Sequence, residues 1–457
     1  MMLKGRQLQY FGTCLALLNM MGKGMHLAWP SPFLPILEGD PSTAITKDEG
    51  SWIATSYLIS DPLGDIIISL LLNRIGRKYS LLVSAIPFLI SWIIIAPTQR
   101  FGFIILARLI AGIGGGAIFT VLPIYIGELA DPQIRGSLIS LMVIVISVGA
   151  LSINILGYYV TITHASIICA LPSVLFLLLF PFLPETPNYY IVKGNMDKAR
   201  EMLTKIRGKV VGDEEIKELV KNNEEGLVRA GVLDLFRVAS NRKGLFIFMG
   251  TMTAQQVAGI VPIMYFYTQT IFIEAAADFP VIASTAILYL VLIVCSVISA
   301  ALIDRLGRRP LLLTSTACCC LALLMEGVNL YLTGKGGGNS GFTWMTIGNI
   351  SFLIVGYSIG LLTLPSIFMS ELFPLNIKGV AVCFCNMFFS IMATTVTKLF
   401  QFTNDQYGLY VPFFVFSGLC FVTLVYVAIS VPETKKKTLE QIQMELRVAD
   451  GESKTKL

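Results

Sequence analysis

Long runs of apolar residues constrain this chain more than any other feature of its sequence. Twelve of them reach about 20 residues, the length at which an α-helix crosses roughly 30 Å of hydrocarbon. Only 14% of the 457 residues are charged, whereas soluble proteins average about 25%. We therefore predict an all-α membrane protein with spans at 8–30, 51–72, 80–98, 102–126, 138–160, 164–183, 244–272, 281–303, 311–333, 344–370, 379–402 and 411–431.

The composition excludes several classes of function. Two histidines, His26 and His164, are too few for a histidine-based metal site, and the nine cysteines show no CxxC spacing. A net charge of +5 is too small for a nucleic-acid surface in a chain of this length. We expect no cofactor, no metal and no nucleic-acid partner. We also expect no enzymatic activity, because two histidines do not supply a nucleophile, a base and an orienting group.

The basic residues of the short loops indicate how the chain crosses the bilayer. Cytoplasmic loops carry an excess of Lys and Arg. One side has little beyond Lys47, Arg100 and Lys335, so we expect it to face outward, with both termini cytoplasmic in a multi-pass protein of the plasma membrane. The basic residues of the opposite side are Lys4, Arg6, Arg74, Arg77, Lys78, Arg135, Arg305, Arg308, Arg309, Lys378 and Lys435 to Lys437.

One long polar insertion, 184–243, separates two groups of six spans. Its charges alternate in sign at helical spacing, as in MDKAREMLTKIRG from Met196 onward. We predict short cytoplasmic helices that link an N-terminal half (1–183) to a C-terminal half (244–431), followed by a cytoplasmic tail (432–457). The charged faces of the linker are either simply solvated or bind a partner.

Three cytoplasmic motifs occur twice, in the same order and after equivalent spans. Such a repeat predicts two parallel six-helix halves, the arrangement of a rocker-type secondary transporter with its solute site near the midplane. The motif pairs are NRIGRK (73–78) with DRLGRR (304–309), Glu128-Leu129 and Ile134-Arg135-Gly136 with Glu371-Leu372 and Ile377-Lys378-Gly379, and PET (184–186) with PET (432–434).

The duplicated charges also suggest a mechanical role. Basic residues at the turns after spans 2 and 8 can pair with glutamates after spans 4, 6, 10 and 12, and such pairs would hold the cytoplasmic ends together while the cavity opens outward. Positive-inside topology is the alternative, but it explains the basic residues and not the acidic ones. The predicted latch residues are Arg77, Lys78, Glu128, Arg135, Glu185, Asp304, Arg308, Arg309, Glu371, Lys378 and Glu433.

Together these motifs resemble the sugar porter family of the major facilitator superfamily. The resemblance runs from span 2 to the tail and implies the twelve-helix major facilitator fold. A narrower resemblance, carried by SPFLP (31–35) and Gly50-Ser51-Trp52-Ile53, is to the insect facilitated trehalose transporters. Further matching segments are ARLIAGIGGG with Arg108, PIYIGELADPQIRG (123–136), PETP (184–187), QQVAGI (255–260), ELFPLNIKG (371–379) and PETKKKTLEQI (432–442).

The resemblance implies that side-chain amides and an aromatic ring bind the solute. Gln255 and Gln256 match the family's span 7 glutamines, Tyr265 the aromatic residue, and Asn386 substitutes for a span 11 asparagine. Amides suit sugars because each offers donors and an acceptor in one plane. Other expected pocket residues are missing: Val143, Val261, Leu292, Ser366 and the pair Phe389-Ser390 stand where polar or aromatic partners are usual.

Ionisable residues inside spans 1 and 2 form a second candidate site. Lys23 and His26 lie on span 1 and Asp61 and Asp65 on span 2, and buried charges in a membrane normally pair or line water. The cluster is either a structural ion pair or a site that handles solute or protons. The resemblance implies a span 1 carboxylate in proton-coupled porters, roughly where His26 stands, so simple uniport is the default and a pH effect through His26 is the riskier hypothesis.

These observations predict a facilitative transporter of a hexose or trehalose-like disaccharide that works by alternating access. Two alternatives remain open. The same fold can serve as a non-transporting sugar sensor, which the thinned pocket favours, or as a porter of a non-sugar polar solute. The partners expected are a small-molecule sugar and the lipid bilayer, with protons as an open question.

Overall fold

The computed structural model describes residues 5–41, 45–208, 234–274, 280–303, 307–334, 340–373 and 375–433, and positions 435, 441 and 444 of the tail. Within these ranges the chain is helical and contains no strand. It separates into two compact units, Met1–Leu227 and Val228–Leu457. The division between the units falls inside the predicted linker.

The first unit contains the six predicted spans of the N-terminal half, as α1 and α3 to α7. Helix α2 was not predicted; it follows α1 after Trp29 and carries the SPFLP segment. Two short helices, α8 and α9, begin the linker. The bounds are α1 Arg6–Ala28, α2 Pro30–Gly39, α3 Lys47–Ile75, α4 Arg77–Ile95, α5 Phe101–Leu129, α6 Pro132–Tyr159, α7 Ile162–Leu179, α8 Pro187–Val192 and α9 Met196–Arg207.

The second unit repeats this plan with two interrupted spans. Ten helices of the described ranges are long and apolar enough to cross a membrane, and α1 and the interrupted span 7 complete the twelve-helix fold. The bounds are α10 Asp234–Arg237, α11 Ala239–Val257, α12 Thr268–Glu274, α13 Val281–Ile303, α14 Arg308–Gly334, α15 Ser340–Ile359, α16 Leu364–Glu371, α17 Leu375–Tyr407 and α18 Tyr410–Ser430.

Span 7 is not the continuous helix that its hydropathy predicts. Helix α11 ends at Val257, and a π-helical turn, Val261–Phe266, precedes α12. Gly259 has a φ of 73°, in the left-handed region that favours glycine. Pro262 has no backbone N–H, and its carbonyl accepts the Tyr267 N–H at 2.9 Å. Glycine and proline together therefore interrupt the helix next to the candidate glutamines.

Span 10 is interrupted as well, between α15 and α16. Ser315 of α14 spans the break: its hydroxyl donates to the Gly356 carbonyl at 2.7 Å and accepts the Leu361 N–H at 3.0 Å. These bonds satisfy backbone groups that the missing turn would have paired. Pro365 is the second residue of α16. Because proline lacks an N–H, it favours the first turn of a helix.

The same helix pairs are packed in both units. Helix α3 packs on α5, α4 on α7 and α1 on α6, and the equivalent pairs α13 with α15, α14 with α18 and α11 with α17 also pack together. The contacts therefore follow the sequence repeat.

Glycines bring α3 and α5 into backbone contact. A Cβ atom on Gly116 would lie 1.9 Å from the Asp61 carbonyl oxygen, and one on Gly64 would lie 2.0 Å from the Ile113 carbonyl oxygen. Small residues allow this close approach of membrane helices. The GIGGG sequence of α5 is thus explained by packing.

The first linker segment is tied to unit 1. The Gln9 side chain donates to the Ile206 carbonyl at 3.1 Å, and Arg207 forms an ion pair with Asp131. Helix α9 is therefore fixed against the start of α1 and the α5–α6 turn. Residues 209–233 of the predicted linker lie outside the described ranges.

Candidate functional site

A buried ion pair lies between α1 and α3 of the first unit. The Lys23 ammonium is 3.3 Å from Asp61 Oδ1 and donates to the Gly115 carbonyl at 2.9 Å. The same ammonium lies 4.6 Å from the centre of the Phe119 ring. Lys23 and Asp61 are only 8% and 7% exposed. Opposite charges, a carbonyl and an aromatic face thus satisfy a cation that would otherwise be costly to bury.

Asp65, one helical turn beyond Asp61, has a different partner. The Thr120 hydroxyl of α5 donates to Asp65 Oδ1 at 2.5 Å. Each aspartate is therefore bound by a side chain of another helix in unit 1, Asp61 by Lys23 and Asp65 by Thr120. Both aspartates link α3 to neighbouring helices.

His26 does not share the surroundings of Lys23. Its ring is fully buried and stacks against two rings of α4, Trp92 at 4.0 Å and Phe88 at 5.0 Å between ring centres. The ammonium of Lys23, by contrast, points to α3 and α5. The predicted four-residue cluster is thus divided into an ion pair, a hydroxyl-bound aspartate and an aromatic-packed histidine.

Arg108 is a fully buried cation whose partners the sequence did not reveal. Its guanidinium donates to the carbonyls of Ile53 at 3.1 Å and Ala54 at 3.2 Å, and to the His26 carbonyl. The group also lies 5.2 Å from the centre of the Tyr57 ring. These contacts join α5 to α1 and α3 through backbone carbonyls, so Arg108 holds these three helices together.

The latch residues of unit 1 converge at the start of α4. Arg77 Nη2 lies 2.9 Å from Glu128 Oε1, and its Nε donates to the same oxygen at 3.0 Å. Glu185 accepts the backbone N–H groups of Arg77 and Lys78, both at 3.1 Å. A carboxylate at a helix N-terminus compensates the unpaired N–H groups and the helix dipole.

The latch residues of unit 2 repeat this arrangement at the start of α14. Arg308 Nη2 lies 3.3 Å from Glu371 Oε1. Glu433 accepts the N–H groups of Arg308 at 2.9 Å and Arg309 at 3.1 Å. Each group of contacts thus joins helices of a single unit.

The remaining latch residues contribute less or lie outside the description. Lys78 Nζ donates to the Pro181 carbonyl and Arg309 Nη2 to the Ala428 carbonyl, both at 2.5 Å. Arg135 reaches the Ala130 carbonyl at 3.5 Å. Asp304 and the side chain of Lys378 lie outside the described part of the chain.

The two helix-capping glutamates have opposite pKa shifts. Burial raises the pKa of Glu185 above its ordinary value, because desolvation outweighs the N–H groups and the charge of Arg77. Burial acts in the same direction on Glu433. There, however, the N–H groups of Lys435, Arg308 and Arg309 outweigh it and lower the pKa.

The solute residues implied by the resemblance differ in how their amides are used. Gln255 Nε2 donates to the carbonyls of Leu361 at 2.7 Å and Leu362 at 3.3 Å, in the break of span 10. Gln256 is 2% exposed, and its Oε1 has no hydrogen-bond partner among the described residues. The Oε1 atom of Gln255 likewise has no hydrogen-bond partner among the described residues. The amide nitrogen of Gln255 is therefore bound to the protein, and both glutamines keep an unsatisfied acceptor.

Tyr265 and Asn386 lie on elements that surround these glutamines. Tyr265 belongs to the π-helical turn, and its ring meets Tyr289 of α13 edge-on at 6.3 Å. The Tyr289 hydroxyl donates to the Met264 carbonyl at 2.7 Å, which fixes this pair. Asn386 is half-buried on α17, a helix that packs against α11.

Glu326 of α14 is a buried carboxyl group that was not among the predicted site residues. It is 1% exposed and contacts two asparagines. The signal was available, because Glu326 stands alone in the apolar run 311–333 and meets the criterion applied to spans 1 and 2.

Comparisons with known proteins agree with this architecture. The facilitated trehalose transporter Tret1 of Culex quinquefasciatus is 32% identical over 435 residues, which cover 94% of this chain and 84% of that protein. Tret1 of Aedes aegypti is 31% identical over 435 residues, 94% of this chain but 54% of that protein.

Solved structures match the fold across nearly the whole chain. The proton:xylose symporter XylE bound to 6-bromo-6-deoxy-D-glucose superposes with a TM-score of 0.78 at 21% identity, covering 97% of this chain and 100% of that one. The inward-open conformation of XylE from E. coli gives a TM-score of 0.80 at 21% identity, covering 96% and 99%. The family model described as "Sugar (and other) transporter" matches residues 37–446. This chain is therefore a multi-pass membrane transporter of the major facilitator fold and belongs to the sugar transporter family.

Proposed function

We propose that this protein moves a sugar, a hexose or a trehalose-like disaccharide, down its concentration gradient by alternating access. The observation that carries the proposal is Gln256, whose amide is buried while its carbonyl oxygen lacks a partner among the described residues. Leaving such a group unsatisfied costs about 1–3 kcal/mol. A solute hydroxyl donated to Gln256 Oε1 would remove this cost.

Gln255 has a different role in this proposal. Its amide nitrogen is bound to the Leu361 and Leu362 carbonyls, so it positions the break of span 10 beside the solute. Its Oε1 atom, which also has no partner among the described residues, is a second acceptor for a solute hydroxyl. The ring of Tyr265 serves as the aromatic platform, and Asn386 offers a further amide from α17.

Facilitated transport is favoured over proton coupling by the contacts in unit 1. The aspartate nearest to span 1, Asp61, is paired with Lys23, so its charge is balanced without a proton. His26 is enclosed by Phe88 and Trp92. Neither group is placed to exchange a proton with a solute. The likeness to a proton symporter concerns the fold and supplies no coupling residue.

The latch residues serve to keep each unit rigid while it moves. Alternating access in this fold is largely a rocking of one half against the other. The Arg77–Glu128 and Arg308–Glu371 pairs, with the glutamates at the helix starts, tie the ends of several helices within one unit. The protein acts in the plasma membrane with both termini in the cytoplasm, and it has no enzymatic activity.

Uptake of radiolabelled trehalose and glucose into proteoliposomes tests the proposal. The native protein should equilibrate at least one sugar and show counterflow without an ion gradient. Replacing Gln256 by Ala should raise the half-saturation constant by a few-fold to about tenfold, the value of one hydrogen bond of about 0.5–1.5 kcal/mol. Gln406→Ala, an exposed glutamine of α17, is the matched control.

Other outcomes would redirect the assignment. Sugar-dependent thermal stabilisation without uptake would identify a sensor. Uptake of a non-sugar polyol, with no response to either sugar, would identify a porter of another solute. Accumulation of sugar only with an inward proton gradient would contradict facilitated transport.

A further inference from the structure

A carboxyl group is buried between α14 and α15 of unit 2. Glu326 is 1% exposed. It stands eight residues before the end of α14 at Gly334, or about 12 Å along the helix at about 1.5 Å per residue. The group is therefore inside the span and not at its end.

The hydrogen bonds to this carboxyl group are one-sided. Asn349 Nδ2 donates to Glu326 Oε2 at 2.9 Å, and Asn329 Nδ2 lies 3.4 Å from the same oxygen. Asn329 Nδ2 also lies 2.9 Å from the Thr346 hydroxyl, which itself hydrogen-bonds the carboxyl group. Oε1 is buried and has no hydrogen-bond partner among the described residues. The two oxygens are thus inequivalent.

Among the described residues, no cation faces Glu326 from the helices packed most closely on α14. These helices are α15 and α18, and their described residues include no Lys, Arg, His, Asp or Glu. On α14 itself, Arg308 and Arg309 lie at the opposite end of the helix, about 27 Å along its axis. The remaining titratable groups of the three helices are Cys318 to Cys320 and Tyr331 on α14, Tyr357 on α15, and Tyr410, Cys420 and Tyr426 on α18.

These surroundings favour a neutral acid over a carboxylate. A buried carboxylate without a cation is so costly that the group normally takes up a proton. A protonated carboxyl group has a carbonyl oxygen that accepts hydrogen bonds and a hydroxyl oxygen that carries the proton. Oε2, with its donors, matches the carbonyl oxygen, and Oε1, with none, matches the hydroxyl.

We propose that Glu326 is a proton-binding site inside unit 2, occupied at neutral pH with the proton on Oε1. Loss of this proton leaves an unpaired charge between α14 and α15 and loosens their packing. The site is separate from the Lys23–Asp61 pair, in which a lysine already balances the carboxylate.

The position of Glu326 connects its proton to transport. Helix α15 contacts Glu326 through Asn349 and, farther along, ends at the break that Ser315 and Gln255 hold. A loosened α14–α15 contact would therefore disturb the segment to which Gln255 is bound. This consequence rests on the proposed function, whereas proton binding itself does not.

Infrared difference spectroscopy on the purified full chain in lipid nanodiscs tests proton binding directly. Between neutral and alkaline pH, the native protein should lose a carbonyl band of a protonated carboxyl group. The band should be missing in Glu326→Gln and displaced in Glu326→Asp. Asp197→Asn, which removes an exposed carboxyl of α9, should leave it unchanged. Identical spectra for the native protein and Glu326→Gln would overturn the proposal.

Thermal unfolding provides a second readout that does not need transport. Gln copies the shape of the protonated acid, so Glu326→Gln should fold. A native state that binds more protons than the unfolded state loses stability as pH rises. The native protein should therefore lose more thermal stability than Glu326→Gln from neutral to alkaline pH. Equal losses would contradict the site. Stabilisation by sodium in the native protein but not in Glu326→Gln would show a metal-cation site instead and would equally overturn it.

Measuring sugar uptake as a function of pH separates this inference from the proposed function. Sugar uptake should slow as pH rises in the native protein and stay flat in Glu326→Gln. Uptake that is absent in both proteins, with the infrared band present in the native protein only, would refute sugar transport and leave the proton site standing.

Discussion

The two glutamates of the repeated PET sequence perform the same task in different surroundings. Glu185 binds the first N–H groups of α4, and Glu433 binds those of α14. Glu185 is 5% exposed, whereas Glu433 is half-buried. Burial raises the pKa of Glu185, but N–H donors outweigh burial and lower that of Glu433. The two copies of the motif therefore share the same backbone hydrogen bonds. They differ in whether desolvation or the N–H donors dominate the pKa of the glutamate.

The arginine pairs differ in the same direction. The side chains of Arg77 and Glu128 are 7% and 11% exposed, those of Arg308 and Glu371 17% and 23%. The contact in unit 1 is also shorter, 2.9 Å against 3.3 Å. Removing one partner from a buried pair leaves an uncompensated charge, so the unit 1 latch residues should be the more sensitive set.

The largest expected difference is between Arg77→Ala and Arg308→Ala. The first should cost about 3–5 kcal/mol, as for a broken buried pair. The second should cost about 1.5–3 kcal/mol, the value of a hydrogen bond to a charged group. Thermal unfolding in detergent, with Arg74→Ala as an exposed control, measures both. Equal losses would mean that the two units rely equally on their pairs.

Glycines before the two helices offer a second comparison. Gly76 has a φ of 89°, which side chains rarely adopt, and a Cβ there would lie 2.3 Å from Glu185 Oε2. A Cβ on Gly307 would lie 2.5 Å from Glu433 Oε2, the far end of a half-buried side chain. Gly76→Ala should thus cost about 1–3 kcal/mol through strain. Gly307→Ala should cost less, because the Glu433 side chain can move. A larger loss of thermal stability in Gly307→Ala would contradict this account.

The smallest expected effect is the direction in which the stability contributed by each glutamate changes with pH. A raised pKa means that Glu185 binds more protons in the folded state, so its contribution to stability is lost as pH rises through the folded pKa. A lowered pKa means that the contribution of Glu433 is lost as pH falls through the folded pKa. On acidification, the stability of the native protein should therefore rise relative to Glu185→Gln and fall relative to Glu433→Gln. Parallel pH profiles of thermal stability in the two variants would contradict the opposite pKa shifts of Glu185 and Glu433.

The sequence predicted the features that depend on hydropathy and repetition. Apolar length predicted the membrane spans, of which ten meet the length and hydropathy criterion within the described residues. The resemblance of the motifs implied the major facilitator fold and the sugar porter family, and both are confirmed. The roles of the latch and solute residues stay predictions. The opposite pKa shifts of Glu185 and Glu433 could not be predicted, because both stand in the same three letters and their burial and N–H donors are set by the fold.

The direction in which a buried side chain points is the other property that the sequence did not predict. The sequence placed Lys23 inside span 1 and Asp61 inside span 2, and their contact agrees with that placement. Depth does not determine which neighbouring helix a side chain faces. His26, three residues after Lys23, packs on α4 while Lys23 points to α3 and α5. The interruptions of spans 7 and 10 escaped prediction because the residues on both sides of each break are mostly apolar.

Because span 10 is broken before α16, a small tilt of α16 at the break would displace its far end by a larger distance. One end of this eight-residue helix adjoins the Leu361 and Leu362 carbonyls that Gln255 binds, and the other end is Glu371, the partner of Arg308. Eight residues make an arm of about 12 Å, so a tilt of about 10° at the break would displace the Glu371 end by about 2 Å. That distance is enough to break an ion pair. A small movement beside the candidate sugar residues can thus be magnified into the opening of a contact at the far end of the same arm.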